Sequence, residues 1–386
     1  MGSWIKVRLA DVCSSISDGD HLPPPKCESG IPFVTISDIK NNKFDLSNTR
    51  FVPKTYFDTI DEKRRIRKGD VLYSVVGSYG IPVYADKDLE VAFQRHIAIL
   101  KPSDTVDSRF LYFSMLNPAF YNAADNVAIG AAQKTITLAA LRNLEIPLPP
   151  LPVQRRIADI LSAYDDLIEN NRRRIAILEE TARLTYRKWF GGANTARTAT
   201  LGEICQTFGG GTPKTNTPEF WDGDIPWVVP TDITRNTCLA LLDTERKITA
   251  LGLQKSSAKM LPANAILMTS RASVGYFGMA DFPVCTNQGF ISIVPNNDSW
   301  RWYLLFNLML RVEEIRSNAK GSTFPEISRA RFRSMDVAIP DDNALIEFNR
   351  AVEPLMQQVR ILAKQSAALA AARDMLLPRL MKGGAA

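Results

Sequence analysis

The chain has 386 residues, of which 45% are hydrophobic and 23% charged, and its 47 basic and 41 acidic residues give a net charge of +6. This length exceeds that of one ordinary domain, and the composition is typical of a soluble globular protein. We find no uninterrupted apolar run of about 18 residues and no apolar core of a secretion signal, so we expect a cytoplasmic protein without a membrane span.

The cysteines and histidines are too few and too scattered for a zinc cluster. None of the cysteines forms a C-x-x-C pair, and free thiols in a reducing compartment are the expected state. His96 aligns with Phe290 in the repeat described below, which predicts a packing position, whereas His21 lies in a polar, proline-rich loop and is either a DNA contact or solvated. The full set is Cys13, Cys27, Cys205, Cys238, Cys285, His21 and His96.

The first segment is a mixture of short strands, turns and helix. Residues 33–36, 71–76 and 97–100 are apolar and are separated by glycine and proline, which predicts strands. Residues 109–116 are expected to be helical. We therefore predict an α+β domain over residues 1–150.

A long helix is predicted next, over residues 151–192. After a proline-rich stretch, apolar or small residues recur from Val153 to Trp189 in alternating steps of three and four, through Leu167 and Thr185. This alternation is typical of the seam of a coiled coil.

The second half has the same organisation. Strands are predicted at residues 265–268 and 290–294 and a helix at 301–316, within a second α+β domain over 193–340. The same three-four alternation then runs to Leu380, which predicts a second long helix over 341–386. We expect this helix to kink or restart near Pro354.

The two halves form a tandem repeat. Blocks of similar sequence recur in the same order, at offsets that drift by only a few residues: 31–39 with 225–233, 71–86 with 266–281, 94–99 with 288–293, and 130–149 with 321–340. Each long helix carries one apolar stripe and needs a partner. The predicted fold is therefore α+β, with two globules separated by two long antiparallel coiled-coil helices; alternatively, each helix packs on its own globule.

No catalytic constellation is recognised. The glycine-rich residues 209–215 lack the spacing of a phosphate-binding loop and predict a tight turn. Asn117 and Pro118 begin a tetrapeptide that is similar to the Asn-Pro-Pro-aromatic motif of amino-methyltransferases, but its second proline is missing and a helix end is the better interpretation.

Several motifs resemble those of one known family, the specificity subunits of type I restriction-modification systems. The motifs are residues 17–21 and 130–136 in the first half, 149–161 at the first helix, 209–233 and 320–340 in the second half, and 376–381 at the chain's last helix. The resemblance covers nearly the whole chain, and its order of parts agrees with the repeat.

The resemblance implies a DNA-recognition subunit that is not itself an enzyme. Two target-recognition domains would each read one half of a split, asymmetric site in double-stranded DNA. The helix pair would dock two methyltransferase subunits, to which restriction subunits attach. S-adenosylmethionine, ATP and magnesium are then expected on those partners and not on this chain. The alternatives are a duplicated adaptor that binds proteins instead of DNA, or a methyltransferase or nuclease in its own right.

Candidate DNA contacts are basic, amide or hydroxyl residues on loops, because such groups bind phosphates and base edges. The candidates are Gln133, Lys134, Thr212, Lys214, Arg271, Lys320 and Ser322. Arg271 aligns with Val76, a difference that is expected if the two domains read different half-sites. The alternative for each residue is a solvated side chain.

The long helices are also expected to set the spacing between the half-sites. A helix of about 38 residues spans about 57 Å. Half-sites one DNA turn apart lie ~34 Å from centre to centre, so such a helix is long enough to fix that distance.

Overall fold

The computed structural model describes residues 4–131, 133–191, 197–321 and 323–382. The chain divides into two compact units: the first comprises residues 1–166 with 369–386, and the second residues 167–368. Each unit combines one α+β globule with parts of two long helices.

The first unit contains short strands and helices. Its strands are β1 (Ile5–Arg8), β2 (Cys13–Asp18), β3 (Ile31–Val34), β4 (Ile39–Lys40), β5 (Lys43–Phe44), β6 (Arg50–Val52), β7 (Val71–Ser74), β8 (Pro82–Tyr84), β9 (Ala92–Phe93), β10 (Ile97–Pro102) and β11 (Glu145–Leu148). Its short helices are α1 (Leu9–Val12), α2 (Lys54–Asp58), α3 (Ser108–Leu116), α4 (Pro118–Asn126) and α5 (Leu138–Asn143).

The core of this unit is an antiparallel sheet in the order β2-β10-β7-β8. All four residues of β7 are buried, because one face of the sheet packs on α3 and the other on a second apolar cluster. A smaller sheet has the order β6-β3-β9. The strands and the helix predicted for this half are confirmed, with boundaries that shift by a few residues.

The long helix α6 (Leu151–Phe190) leads into the second unit. The strands there are β12 (Thr198–Thr200), β13 (Cys205–Gly209), β14 (Trp221–Val228), β15 (Ala240–Leu241), β16 (Arg246–Ile248), β17 (Ile266–Thr269), β18 (Phe277–Ala280), β19 (Cys285–Thr286), β20 (Phe290–Pro295) and β21 (Asp336–Ala338). The helices are α7 (Leu201–Ile204), α8 (Pro230–Thr234), α9 (Ala250–Gln254), α10 (Arg301–Leu310), α11 (Val312–Ser317), α12 (Arg329–Arg333) and the long α13 (Asp342–Leu380).

The second unit repeats the strand order of the first. Its main sheet runs β13-β20-β17-β18-β15, and its smaller sheet runs β16-β14-β19. Equivalent backbone hydrogen bonds fix the correspondence: Val75 N–H donates to His96 O, and Ser270 N–H donates to Gly289 O. His96 therefore corresponds to Gly289. The predicted alignment of His96 with Phe290 is wrong by one residue, because the offset between the copies is 195 residues at Ser74 and Thr269 but already 193 at Phe93 and Thr286.

The two long helices contact each other in both units and run in opposite directions. In the first unit, Leu161 near the start of α6 shares a core with Leu377 near the end of α13. In the second unit, the ring of Tyr186 near the end of α6 lies 5.9 Å from that of Phe348 near the start of α13. The predicted fold class, with its antiparallel helices and tandem repeat, is confirmed.

The buried stripe of α6 differs in part from the predicted seam. Leu167 and Trp189 were expected to face the partner helix but are 53% and 40% exposed. Leu161 and Tyr186 are buried in the same helix. A strict seven-residue repeat drifts around a helix of 3.6 residues per turn, so the stripe shifts along a helix of this length.

Pro354 does not interrupt α13, which is one helix from Asp342 to Leu380. The restart expected there is wrong, and the kink stays a prediction. Pro354 and Arg350 lie on the exposed side, so water can reach the Arg350 carbonyl that a proline leaves without its helical donor. Val352 and Val359 are buried on the opposite side and hold the helix in place.

No helix in the described part of the chain has a stretch long and apolar enough to cross a membrane. The boundaries predicted for the four segments of the chain, 1–150, 151–192, 193–340 and 341–386, stay a prediction.

Candidate nucleic-acid interface

Each unit carries a glycine loop with the same backbone construction. Gly130 and Gly321 have φ values of 104° and 110°, in the left-handed region that favours glycine. A Cβ atom on Gly130 would lie 2.6 Å from the Gln133 carbonyl oxygen, and one on Gly321 would lie 2.7 Å from that of Phe324. Gln133 and Phe324 therefore occupy equivalent positions on the two loops.

Backbone hydrogen bonds close each loop at its base. Ile129 and Thr135 exchange two hydrogen bonds of 2.9 and 2.8 Å, and Lys320 and Glu326 exchange two of the same lengths. The bases of the two loops therefore have the same backbone geometry.

The glycine loop of each unit packs beside the turn that follows the central strand. Gly77 N–H donates to Lys134 O at 3.1 Å, and Ala272 N–H donates to Pro325 O at 2.9 Å. In the second unit this arrangement pairs Arg271 with Glu326, which in turn pairs with Lys320. The structure thus brings the predicted residues Arg271 and Lys320 together.

The predicted cation of the first loop already has a partner. Lys134 Nζ lies 2.7 Å from Asp125 Oδ1, which also accepts a hydrogen bond from the Tyr79 hydroxyl. The hydrogen bond to Asp125 is the main cause that raises the pKa of Lys134, so the ammonium stays charged. Lys134 must leave this ion pair, or share it, to contact a phosphate. Gln133 beside it is exposed.

The second loop offers freer cations. Arg271 Nε lies 3.8 Å from the Glu326 carboxylate, a loose contact between two half-exposed side chains. Lys320 is exposed, and within the described ranges its ammonium has no ion-pair partner. Ser322 lies outside the described residues.

The predicted residues Thr212 and Lys214 lie on a neighbouring loop. The Thr212 hydroxyl donates to Gln288 Oε1 at 2.5 Å. The residue after Gln288 is Gly289, whose carbonyl accepts a hydrogen bond from the backbone N–H of Ser270, directly before Arg271. Thr212 is therefore tied to the same surface. Lys214 lies farther along, where its carbonyl accepts the Trp221 indole N–H at 3.1 Å and its side chain is exposed.

Phe324 was missed by the sequence analysis. Its side chain is 62% exposed at the tip of the second loop, close in sequence to Lys320. The predicted contacts were all polar or charged residues, although apolar contacts to thymine methyl groups also read sequence. The alignment of the two glycine motifs already places Phe324 opposite Gln133 and is the signal that could have found it.

A cleft in the first unit was also missed. It has a volume of about 400 Å³, and its lining includes His21, Lys26, Arg50, Arg95 and His96. Burial and the neighbouring Arg95 lower the pKa of His96, so the imidazole is neutral at neutral pH. His96 is thus a polar group of the cleft and not a packing residue. Because the residues come from distant loops, no sequence motif marked it.

The groups that could hold a metal or act as nucleophiles do not form a site in the described ranges. No cluster of three or more histidine, cysteine or acidic side chains converges there. The five cysteines are free thiols. Burial raises the pKa of Cys205 and of Cys285 to about 12, which keeps both thiols protonated at neutral pH.

Comparison with known families gives a match over both repeats. Residues 1–180 and 195–369 match the family described as the type I restriction modification DNA specificity domain. Each segment contains one globule and most of the helix that follows it.

Individual relatives agree with this match. The chain is 33% identical, over 171 residues, to the type I restriction enzyme MjaIX specificity subunit of Methanocaldococcus jannaschii; the alignment covers 42% of this chain and 40% of that relative. It is 22% identical to the HindI specificity subunit of Haemophilus influenzae, with 99% of this chain and all of that relative covered. The crystal structure of the type I S subunit from M. genitalium has the same fold, with a TM-score of 0.58, 19% identity and coverage of 98% and 96% of the two chains.

Proposed function

The chain belongs to the family of type I restriction modification DNA specificity domains, and from this membership we propose that it is the specificity subunit of a type I restriction-modification complex. In this role it reads a bipartite, asymmetric site in double-stranded DNA, one half-site per unit. The observation that carries the proposal is the family match over both repeats, combined with glycine loops of the same backbone but different tip residues.

The difference between the loops supports two different half-sites. Gln133 presents an amide at the position where the second unit presents the ring of Phe324. An amide can pair with the edge of adenine, whereas an apolar ring contacts the methyl group of thymine. The loop of the second unit lies beside three further polar side chains, those of Thr212, Arg271 and Lys320. These would donate hydrogen bonds to DNA phosphates or to base edges. Lys214, Lys134 and the predicted Ser322 complete the proposed contact set.

The long helices are proposed to bind methyltransferase subunits, two per chain. In the second unit Ile177 and Leu184 lie on one face of α6 and are 65% and 52% exposed. Ile361 on α13 is 49% exposed. A contiguous exposed apolar surface marks an interaction site, and we propose that Ile177 and Leu184, two turns apart on one face, belong to such a surface. Restriction subunits would join through the methyltransferase.

The chain is proposed to have no catalytic activity of its own. Methyl transfer, translocation and cleavage, with S-adenosylmethionine, ATP and magnesium, would belong to the partner subunits. The DNA target and the partners place the proposed assembly in the cytoplasm.

The test is to express the chain with its methyltransferase subunit and to map modified bases in the host genome by single-molecule sequencing. We expect modification at one split sequence, with two defined half-sites and a nonspecific spacer. The methyltransferase subunit expressed alone should give no sequence preference. Modification that is absent or independent of sequence in the presence of both chains would refute the proposal and favour an adaptor role.

Docking is tested separately by a pull-down of the methyltransferase subunit with Ile177→Glu and Leu184→Glu variants. Both changes place a charge on the proposed interface and should abolish co-purification. Ala176→Glu is the matched control, because residue 176 is exposed and lies about 100° around the helix from Ile177. Equal loss with the control variant, or retention with the other two, would contradict this docking surface.

A further inference from the structure

The two units differ most clearly at one equivalent position beside their smaller sheets. Phe33 of β3 pairs with Arg50 of β6 in the first unit, and Trp227 of β14 pairs with Arg246 of β16 in the second. Phe33 and Trp227 are therefore counterparts, as are the two arginines.

In the second unit this position is filled. The rings of Trp221 and Trp227 meet edge to face, with 5.0 Å between their centroids. The Trp227 indole N–H donates to Gly211 O at 2.9 Å and ties the adjoining loop down. The Arg246 guanidinium stacks 3.6 Å from the centre of the Trp221 ring. Its charge is thus directed at an aromatic face.

In the first unit Phe33 is itself buried, and it borders a cleft. The Phe33 side chain has no donor equivalent to the Trp227 indole N–H. The adjoining loop carries Pro23 and Pro24 along the wall of the cleft of about 400 Å³.

The cleft carries an excess of positive charge. Lys26, Arg50 and Arg95 line it, and none of them forms an ion pair in the described part of the chain. Asp20, the acidic residue of the lining, is already neutralised by Arg64 at 2.6 Å and accepts the Tyr56 hydroxyl at 2.7 Å. The three cations therefore remain available to an anion.

The remaining lining suits a flat, partly polar group. Phe33 and Phe51 supply apolar surface, while His96 and Gln94 supply neutral hydrogen-bonding groups. A volume of about 400 Å³ lies in the range of small-ligand sites, about 300–1,000 Å³. Cations in the lining of such a space match the chemistry of a nucleoside phosphate.

The cleft adjoins the glycine loop of the first unit. His96 O accepts Val75 N–H, and Val75 O accepts Ile136 N–H, both at 2.8 Å. Two residues farther along, Gly77 N–H donates to Lys134 O. A strand of DNA that lies on Gln133 and Lys134 is therefore in reach of the cleft.

We propose that the cleft of the first unit holds one nucleotide of the DNA strand, with its phosphate facing Lys26, Arg50 and Arg95. This inference rests on the proposed function and adds to it an anchoring site in the first unit. The three cations of the cleft would then contribute to the salt-dependent affinity of that unit.

The test measures binding of a fluorescent duplex to the full chain between about 50 mM and 200 mM salt. The variant combines Lys26→Ala, Arg50→Ala and Arg95→Ala. Each lost phosphate contact should reduce the slope of log K against log salt by about 0.9, so we expect a total reduction of between about one and three. A charge-matched control combines Lys6→Ala, Lys68→Ala and Lys87→Ala, all exposed in the same unit and outside the cleft, and should change the slope less.

Other outcomes separate the alternatives. A wild-type chain that binds no DNA contradicts the proposed function itself. A wild-type chain that binds, with the same slope for the cleft variant and the control, overturns the cleft alone. Binding of millimolar deoxyadenosine monophosphate to the wild-type chain and not to the cleft variant, with duplex binding unaffected, would overturn DNA as the source of the nucleotide.

A second variant fills the cleft without removing charge. Phe33→Trp introduces the residue that the other repeat uses at this position, so the unit should fold with an unchanged melting temperature. We expect weaker duplex binding and a smaller salt slope. Unchanged binding by a folded Phe33→Trp chain would contradict the proposal.

Discussion

At the residue scale, two buried tyrosines differ in whether their hydroxyl groups are hydrogen bonded. Tyr73 in the first unit is fully buried, and its hydroxyl has no partner among the described residues. The Tyr303 hydroxyl in the second unit donates to Ala338 O at 2.8 Å. Burial of a hydroxyl without a partner costs desolvation free energy that no hydrogen bond offsets.

We therefore expect Tyr73→Phe to leave the free energy of unfolding unchanged or to raise it. Tyr303→Phe should lower it by about 1 kcal/mol, because a buried hydrogen bond is lost. Urea unfolding of the two variants, followed by circular dichroism, checks this pair. A loss for Tyr73→Phe as large as that for Tyr303→Phe would contradict the assignment of an unpaired hydroxyl.

Phe324 is the residue for which we predict a direct effect on the base that is read. Phe324→Ala should weaken binding of the half-site read by the second unit by about 1–3 kcal/mol and leave the other half-site unchanged. The measurement is the same methylation map, compared position by position. Replacement of a critical thymine by uracil, which lacks the methyl group, should mimic the effect.

Leu251→Ala is the control for Phe324→Ala, since Leu251 is also exposed in the second unit, at 43%, but lies on α9. It should leave the modified sequence unchanged. If Phe324→Ala instead reduces modification equally at all sequences, the Phe324 contact does not discriminate between bases.

At the element scale, Pro354 lies inside α13 and Pro152 lies in the first turn of α6. Proline is costly in a helix interior and well tolerated in the first turn, where no N–H donor is needed. We predict that Pro354→Ala raises the free energy of unfolding by about 1–3 kcal/mol, whereas Pro152→Ala changes it little. Thermal unfolding of both variants tests this. Equal effects would mean that Pro354 is accommodated without cost.

Periodicity and repeats predicted the positions of strands and helices better than they predicted which face of a helix is buried. Residues 71–76 were predicted as a strand because they are apolar and bounded by glycine, and the structure buries Val71–Ser74 in the central sheet. Along α6 the predicted seam was wrong at Leu167 and Trp189, because small drifts in helical phase accumulate over many turns. A single sequence contains no information on that drift.

The part of the candidate site that is contiguous in sequence was predicted, whereas the part formed by residues distant in sequence was missed. The glycine loops are contiguous in sequence, so the repeat alone aligned Gln133 with Phe324. The cleft draws on His21, Arg50 and Arg95, which are brought together by strand pairing. Phe33, Phe51 and the three cations meet only in the folded structure.

At the scale of the whole molecule, α6 links the two globules with 40 residues, which corresponds to about 60 Å of helix. The helix α13 runs against it in both units. We predict that a seven-residue insertion after Asp166 and another after Ala368, where the two units divide, lengthen both helices by about 10.5 Å. Seven residues are close to two turns, so the buried faces keep their alignment.

The expected result is a DNA target whose spacer is longer by about three base pairs, at ~3.4 Å per pair, with both half-site sequences unchanged. The methylation map of cells that express the lengthened chain with its methyltransferase subunit measures this directly. A seven-residue insertion after Lys87, in an exposed loop of the first unit, is the control and should leave the spacer unchanged. A lengthened chain that keeps the original spacer, or that changes the bases of a half-site, would mean that the helices do not set the distance between the two reading units.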